Sequence, residues 1–300
     1  MEKNLSKIIV IAGPNASGKS SLGIELAKKY NGEIISADSR QIFCGFDLCC
    51  GKVTAEERSI VPHHLLDVAN VGDVFTVADY QREVYKAIEN IISRGKLPII
   101  VGGTGLYVSS VVYGYNFNNK ELNEEYRMNL ECKSITELQE MLPDALKTSL
   151  NNSDFNNKRR LIRTLEKIHD GDELSHQNIP RYNALQLGVA WPKEILHKRI
   201  DERLTTRIEQ GMLDEVRTYL ESGGDSIHLY NLGLEYRHIA KYILGEYKTL
   251  EEFSEEMARA IKKFAKRQVT WFKKDKNIHW IDMTNNPLEQ ASLLIDDFLK

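Results

Sequence analysis

Apolar residues recur along this chain in two alternating rhythms. Ile8, Ile9, Val10 and Ile11 are consecutive and β-branched, so Lys7–Ala12 reads as a strand buried on both faces. Leu22, Leu26 and Tyr30 follow at intervals of four, which marks one face of a helix. Glu33–Ala37 reads as a second strand and His64–Val68 as a third. Tyr80, Val84, Ala87, Ile88 and Ile91 make Val77–Ser93 helical, and Leu97–Val101 is another buried strand, closed by Gly102-Gly103. Strands alternating with helices in this way predict a parallel sheet.

The rhythm changes at Tyr115. Residues 115–157 are rich in Asn and charge, with short helices expected around Glu121–Cys132 and Thr136–Met141. Strand character returns at Leu185–Ala190 and again at Ile278–Ile281, with long helical patterns over Ile195–Leu220 and Leu250–Lys274. The expected fold is therefore α/β: a P-loop-type parallel sheet flanked by helices, with an inserted small helical lobe. The core is expected at 1–114 and 184–300, and the lobe at 115–183.

Composition then excludes several classes. No stretch is long and apolar enough to span a bilayer, and the opening MEKNLSKIIVIAGP lacks the pattern of a signal peptide. A cytoplasmic protein without membrane contact is expected. Cys44, Cys49, Cys50 and Cys132 form no C-x-x-C pair, so free thiols are expected rather than a zinc site. The net charge of -3 argues against a protein that coats nucleic acid. The charge is uneven, however. Lys158, Arg159, Arg160 and Arg163 form one basic cluster; Arg259, Lys262, Lys263, Lys266, Arg267, Lys273 and Lys274 form another. Such patches fit either selective contact with a folded RNA or solvated helix faces.

The clearest chemical motif is Gly13-Pro14-Asn15-Ala16-Ser17-Gly18-Lys19-Ser20, set between a predicted strand and a predicted helix. Glycines let successive N–H groups turn inward, and the helix N-terminus adds partial positive charge. Lys19 suits phosphate oxygens, and the Ser20 hydroxyl suits Mg2+. Such loops usually hold nucleoside triphosphates. A hydrolase would also carry an apolar strand ending in a magnesium-holding Asp. Here Leu97–Val101 runs instead into Gly102-Gly103-Thr104-Gly105. The motif thus specifies a diphosphate unit, not adenine.

A second constellation, Asp38-Ser39-Arg40-Gln41, follows the second strand, where open α/β sheets bind ligands. Asp38 can take a proton or hold a metal, and Ser39 and Gln41 can read a base edge. A helix cap is the alternative reading of Asp38-Ser39.

Together with these two, VPHHLLDV at 61–68, VGGTGLYVSS at 101–110, NNKRRLIRTLE at 156–166 and AKRQVTWFK at 265–273 resemble the tRNA dimethylallyltransferase family. The resemblance is strong over 7–114, moderate over 156–285 and poor over 115–155. It implies transfer of the dimethylallyl group of dimethylallyl diphosphate to N6 of adenosine 37, beside the tRNA anticodon, with magnesium assisting and pyrophosphate leaving. Gly13–Ser20 would then hold the diphosphate rather than ATP. Asp38 would be the general base, Ser39 and Gln41 would hold the adenine, Thr104 would bond a phosphate oxygen, and Arg203 would neutralise the pyrophosphate. The family touches tRNA at positions matching Asp38, Ser39, Arg40, Gln41, Thr104, Arg127, Arg159, Arg160, Leu161, Ile162 and Arg163. A monomer is expected.

The chain also departs from the family. Phe43 stands where Tyr is usual, Cys49-Cys50-Gly51-Lys52 replaces G-T-A-K, and Leu234-Glu235-Tyr236-Arg237 replaces G-Y-K-E. Trp271 and Phe272 are expected as core packing, and His63 and His64 as structural. Two rival functions remain open at this point: a small-molecule or nucleotide kinase, and a GTPase-like switch, which would need an N-K-x-D motif that is absent.

Overall fold

The structure, a computed structural model, describes residues 5–117, 123–171 and 178–300. Among the described residues, six strands form one sheet: β1 (Lys7–Ala12), β2 (Gly32–Ser36), β3 (His63–His64), β4 (Leu97–Gly102), β5 (Asn183–Ala190) and β6 (Ile278–Asp282). Their order is β3-β2-β4-β1-β5-β6, and every pairing is parallel. Central β1 explains the apolar run. Ile8 and Val10 pack with Tyr80, Val84 and Ile88 of helix Val77–Ser93, while Ile9 and Ile11 pack with Leu22 and Leu26 of helix Lys19–Lys29. Both faces are covered, and every residue of β1 after Lys7 is buried. Helix Val77–Ser93 starts where its sequence says it should, at a capping box between Thr76 and Asp79.

Two expected elements are interrupted, each by backbone chirality. β3 stops at His64 because Leu65 and Asp67 adopt φ of 60° and 56°, which no strand accommodates. Asp67 is turned instead toward Lys52 and Arg58, with which it forms salt bridges. The pattern at 195–220 is two helices, Lys193–Glu209 and Met212–Glu221. Gly211 between them has φ 98°, a value costly for any side chain with a Cβ. These helices join Leu234–Ile243 and Leu250–Phe272 around a second core containing Phe46, Tyr236, Phe253 and Met257.

Residues 115–179 form a separate compact unit. Its helices Glu124–Glu131, Ile135–Glu140 and Lys158–His169 bury Leu130, Leu138, Leu161, Ile162 and Leu165 in a core of their own. Residues 180–183, expected with this lobe, belong to the sheet unit. There the Arg181 guanidinium lies 4.4 Å from the centre of the Tyr85 ring.

Candidate active site

The glycine-rich loop joins β1 to helix Lys19–Lys29 at the carboxyl end of the sheet. Gly18, at φ 79°, caps that helix without a side chain. The loop is braced from outside. Arg199 donates to the Ala16 carbonyl at 2.9 Å, and Trp191 Nε1 donates to the Ser17 carbonyl at 2.8 Å. Gln268 Oε1 accepts from the Asn15 N–H at 3.0 Å, while its Nε2 donates to the Gly103 carbonyl at 2.9 Å. With these carbonyls occupied, the loop has little freedom to collapse. The Ser17 hydroxyl is buried and has no partner among the described residues.

Lys19 is buried, and its Nζ donates to the Pro14 carbonyl at 3.1 Å. Burial pulls its pKa down to about 8; nearby Asp38 partly opposes this, and Arg203 adds to it. Lys19, Ser20, Asp38, Arg203, Arg207 and Glu235 line one cavity. Arg203 Nη2 also donates to the Gly51 carbonyl at 3.0 Å. Loss of solvent, then Arg207, lowers the pKa of Arg203 from its ordinary value. Arg207 donates in turn to the Leu48 and Cys49 carbonyls. The cavity thus sets Lys19, Arg203 and Arg207 against Asp38 and Glu235, a net positive lining suited to a polyanion.

Asp38 lies beyond the end of β2 and begins no helix, so the cap reading of this stretch does not apply. Its Oδ1 accepts from the Arg40 N–H at 2.9 Å, a local turn that fixes the carboxylate. Asp38 lines the Lys19 cavity and also a second one, with Ser39, Arg40, Thr104, Phe264, Arg267 and Trp271. Thr104 connects the two motifs: its Oγ1 accepts from the Ser39 N–H at 2.9 Å. It faces the second cavity rather than the one containing Lys19. Gln41 faces the Lys19 cavity, its amide held between the Ser36 hydroxyl and the Gly51 carbonyl.

The expectation that Trp271 is core packing needs correction. Phe272 is buried as expected, but Trp271 is 40% exposed and lines the second cavity against Gly105. Leu161 and Ile162, matched to tRNA-touching positions, have their side chains in the lobe core, because they occupy the inward face of helix Lys158–His169. Arg127 and Arg163 both reach buried Glu166, Arg160 pairs with Asp154, and Arg159 is exposed. His64 holds Glu33, which also binds Arg94 and Lys96, a structural role. Gln268, Arg207 and Glu235 carried no role in the sequence reading. The partners of Gln268 and Arg207 lie far along the chain, beyond any local signal. Gln268 stands within AKRQVTWFK, and Glu235 within the departure Leu234-Glu235-Tyr236-Arg237, the two hints available.

Among the described residues, no helix is long and apolar enough to cross a membrane, and no group of three or more His, Cys, Asp or Glu could hold a metal. Fold and site together define a class: an all-parallel α/β protein with a braced glycine-rich loop, a fixed carboxylate and arginines at the carboxyl end of the sheet. More particularly, the chain belongs to the IPP transferase family, whose model matches residues 41–275. It is 42% identical over 283 residues to tRNA dimethylallyltransferase 2 of Treponema denticola, covering 91% of this chain and 95% of that one. It is 39% identical over 292 residues to tRNA dimethylallyltransferase 1 of Geotalea uraniireducens, covering 96% of each. Among solved structures it resembles the tRNA isopentenylpyrophosphate transferase of Bacillus halodurans, with TM-score 0.69, 33% identity and coverage of 97% and 99%.

Proposed function

We propose that this protein, acting as a cytoplasmic monomer, transfers the dimethylallyl group of dimethylallyl diphosphate to N6 of adenosine 37 in tRNA. The observation that carries this reading is the position of Asp38, shared by a cation-lined cavity and a second cavity walled by Trp271 and Phe264. The first suits a diphosphate and the second a flat base turned out of its stack. A carboxylate between them sits where a nucleophilic amine would meet the prenyl carbon.

Adenine N6 is a weak nucleophile because its lone pair is delocalised into the ring. As the C–N bond forms, Asp38 accepts the N6 proton. The C–O bond breaks with its electron pair on oxygen, and Lys19 and Arg203 meet that charge. Magnesium, when bound, would offset further charge on the diphosphate. Ser20 is the protein oxygen that would hold it, in the first turn of helix Lys19–Lys29 beside the phosphate loop. Every group in this scheme comes from one chain.

The reading is tested by incubating the protein with unmodified tRNA, dimethylallyl diphosphate and magnesium, then analysing nucleosides by mass spectrometry. Prenylated adenosine is expected. ATP-dependent phosphorylation of a small molecule, with no prenylated nucleoside, would point to the kinase alternative.

A further inference from the structure

Glu235 is the least expected group in this cleft. It lies in the first turn of helix Leu234–Ile243, and with Asp38 it lines both cavities. An acidic residue in a first turn favours the helix dipole. That explains why an acid is tolerated there, but not why it lines an anion site. Arg207 and Arg40 act on the carboxylate through space, with no salt bridge to it among the described residues. Burial, with a smaller push from Asp38, raises its pKa, while Arg207, a backbone hydrogen bond and Arg40 oppose that rise. The phosphate-side cavity therefore sets three cations, Lys19, Arg203 and Arg207, against two carboxylates, Asp38 and Glu235.

Asp38 has a chemical task in the proposed reaction; Glu235 has none. Three unopposed cations would hold pyrophosphate tightly, and the product carries more charge than the substrate. When the C–O bond breaks, the electron pair stays on oxygen and the leaving group gains one negative charge. A fixed carboxylate nearby therefore disfavours the product more than the substrate ester.

We propose that Glu235 is a positioning residue for product release: its charge, at the junction of the two cavities, weakens the hold on pyrophosphate. This rests on the diphosphate reading of the loop. The test is calorimetric titration of the intact protein with inorganic pyrophosphate, comparing wild type with Glu235→Gln, Glu235→Ala and Glu235→Asp. Glu235→Gln and Glu235→Ala are expected to bind pyrophosphate about tenfold more tightly, while Glu235→Asp stays near wild type. In prenyl transfer the two neutral variants should show a burst followed by a slowed steady phase, because release has become limiting. Unchanged or weaker pyrophosphate binding in a folded neutral variant would overturn the inference. A wild type that fails to bind pyrophosphate at all would instead sink the diphosphate reading.

Discussion

Gln268 and Asn15 lie 253 residues apart, and the Gln268 carbonyl oxygen accepts the Asn15 N–H at 3.0 Å. The same amide donates to the Gly103 carbonyl at 2.9 Å. One buried side chain thus ties the long helix Leu250–Phe272 to the phosphate loop and to the segment after β4. Gln268→Leu should leave a backbone donor and an acceptor unpaired. A loss of roughly 1–3 kcal/mol in stability is expected. Pyrophosphate affinity should fall with it, because the loop loses a brace. Thermal unfolding and calorimetry on the same variant check both; intact loop affinity would show that the bracing is redundant.

Lys19 supplies a pH signature. Its pKa is drawn down to about 8, chiefly by burial, and only the charged form attracts a diphosphate. The Lys19 contribution to pyrophosphate affinity, read as the ratio of wild type to Lys19→Arg so that the ligand's own protonation cancels, should therefore hold steady below pH 8. Above it, that ratio should fall toward a limit of about tenfold per pH unit, as wild-type binding takes up a proton. The stability sign follows from the same shift. The native lysine releases its proton more readily than the unfolded one, so the cost of burying the charge is fully present below pH 8. That cost is lifted as pH rises toward the ordinary lysine range. Lys19→Met should abolish pyrophosphate binding and this part of the pH dependence of stability. Titrations of wild type and Lys19→Arg across pH 7–10 test it, and a flat ratio between them would remove Lys19 from the binding event.

The lobe arginines separate by their partners. Arg159 is exposed with no ion-pair partner among the described residues, whereas Arg127 and Arg163 share Glu166. Arg159→Ala should weaken tRNA binding and reduce its salt slope by about one. Leu161→Ala should act differently, destabilising the lobe by roughly 2–5 kcal/mol through a cavity in its core. Filter binding over a salt series, paired with unfolding curves, distinguishes a phosphate contact from a packing residue. An unchanged slope for Arg159→Ala would make it a solvated side chain.

The legible parts of this molecule are those where cause and effect are close in sequence. β1 could be read because both its faces are covered, and helix Val77–Ser93 because its cap and its apolar stripe agree. The glycine-rich loop and Asp38 were legible because the motif and the following strand end are local. β3 is shorter than its sequence predicts because Leu65 and Asp67 are left-handed, and Asp67 there pairs with Lys52 and Arg58. Trp271 departs from its expected place in the core for a related reason. Helical spacing puts it beside Phe272, but the cavity that it lines is built with β2, β4 and helix Leu234–Ile243. Glu235 and Arg207 acquire meaning only when those segments meet.

The most direct measurement is single-turnover prenyl transfer by Asp38→Asn, with tRNA and dimethylallyl diphosphate both saturating and adenosine analysed by mass spectrometry. The substitution keeps the size of the side chain and its ability to accept from the Arg40 N–H, so folding and both binding steps should survive. If Asp38 takes the N6 proton, the chemical step should slow by roughly 10²–10⁴. A folded Asp38→Asn protein that prenylates tRNA at the wild-type single-turnover rate would contradict the account.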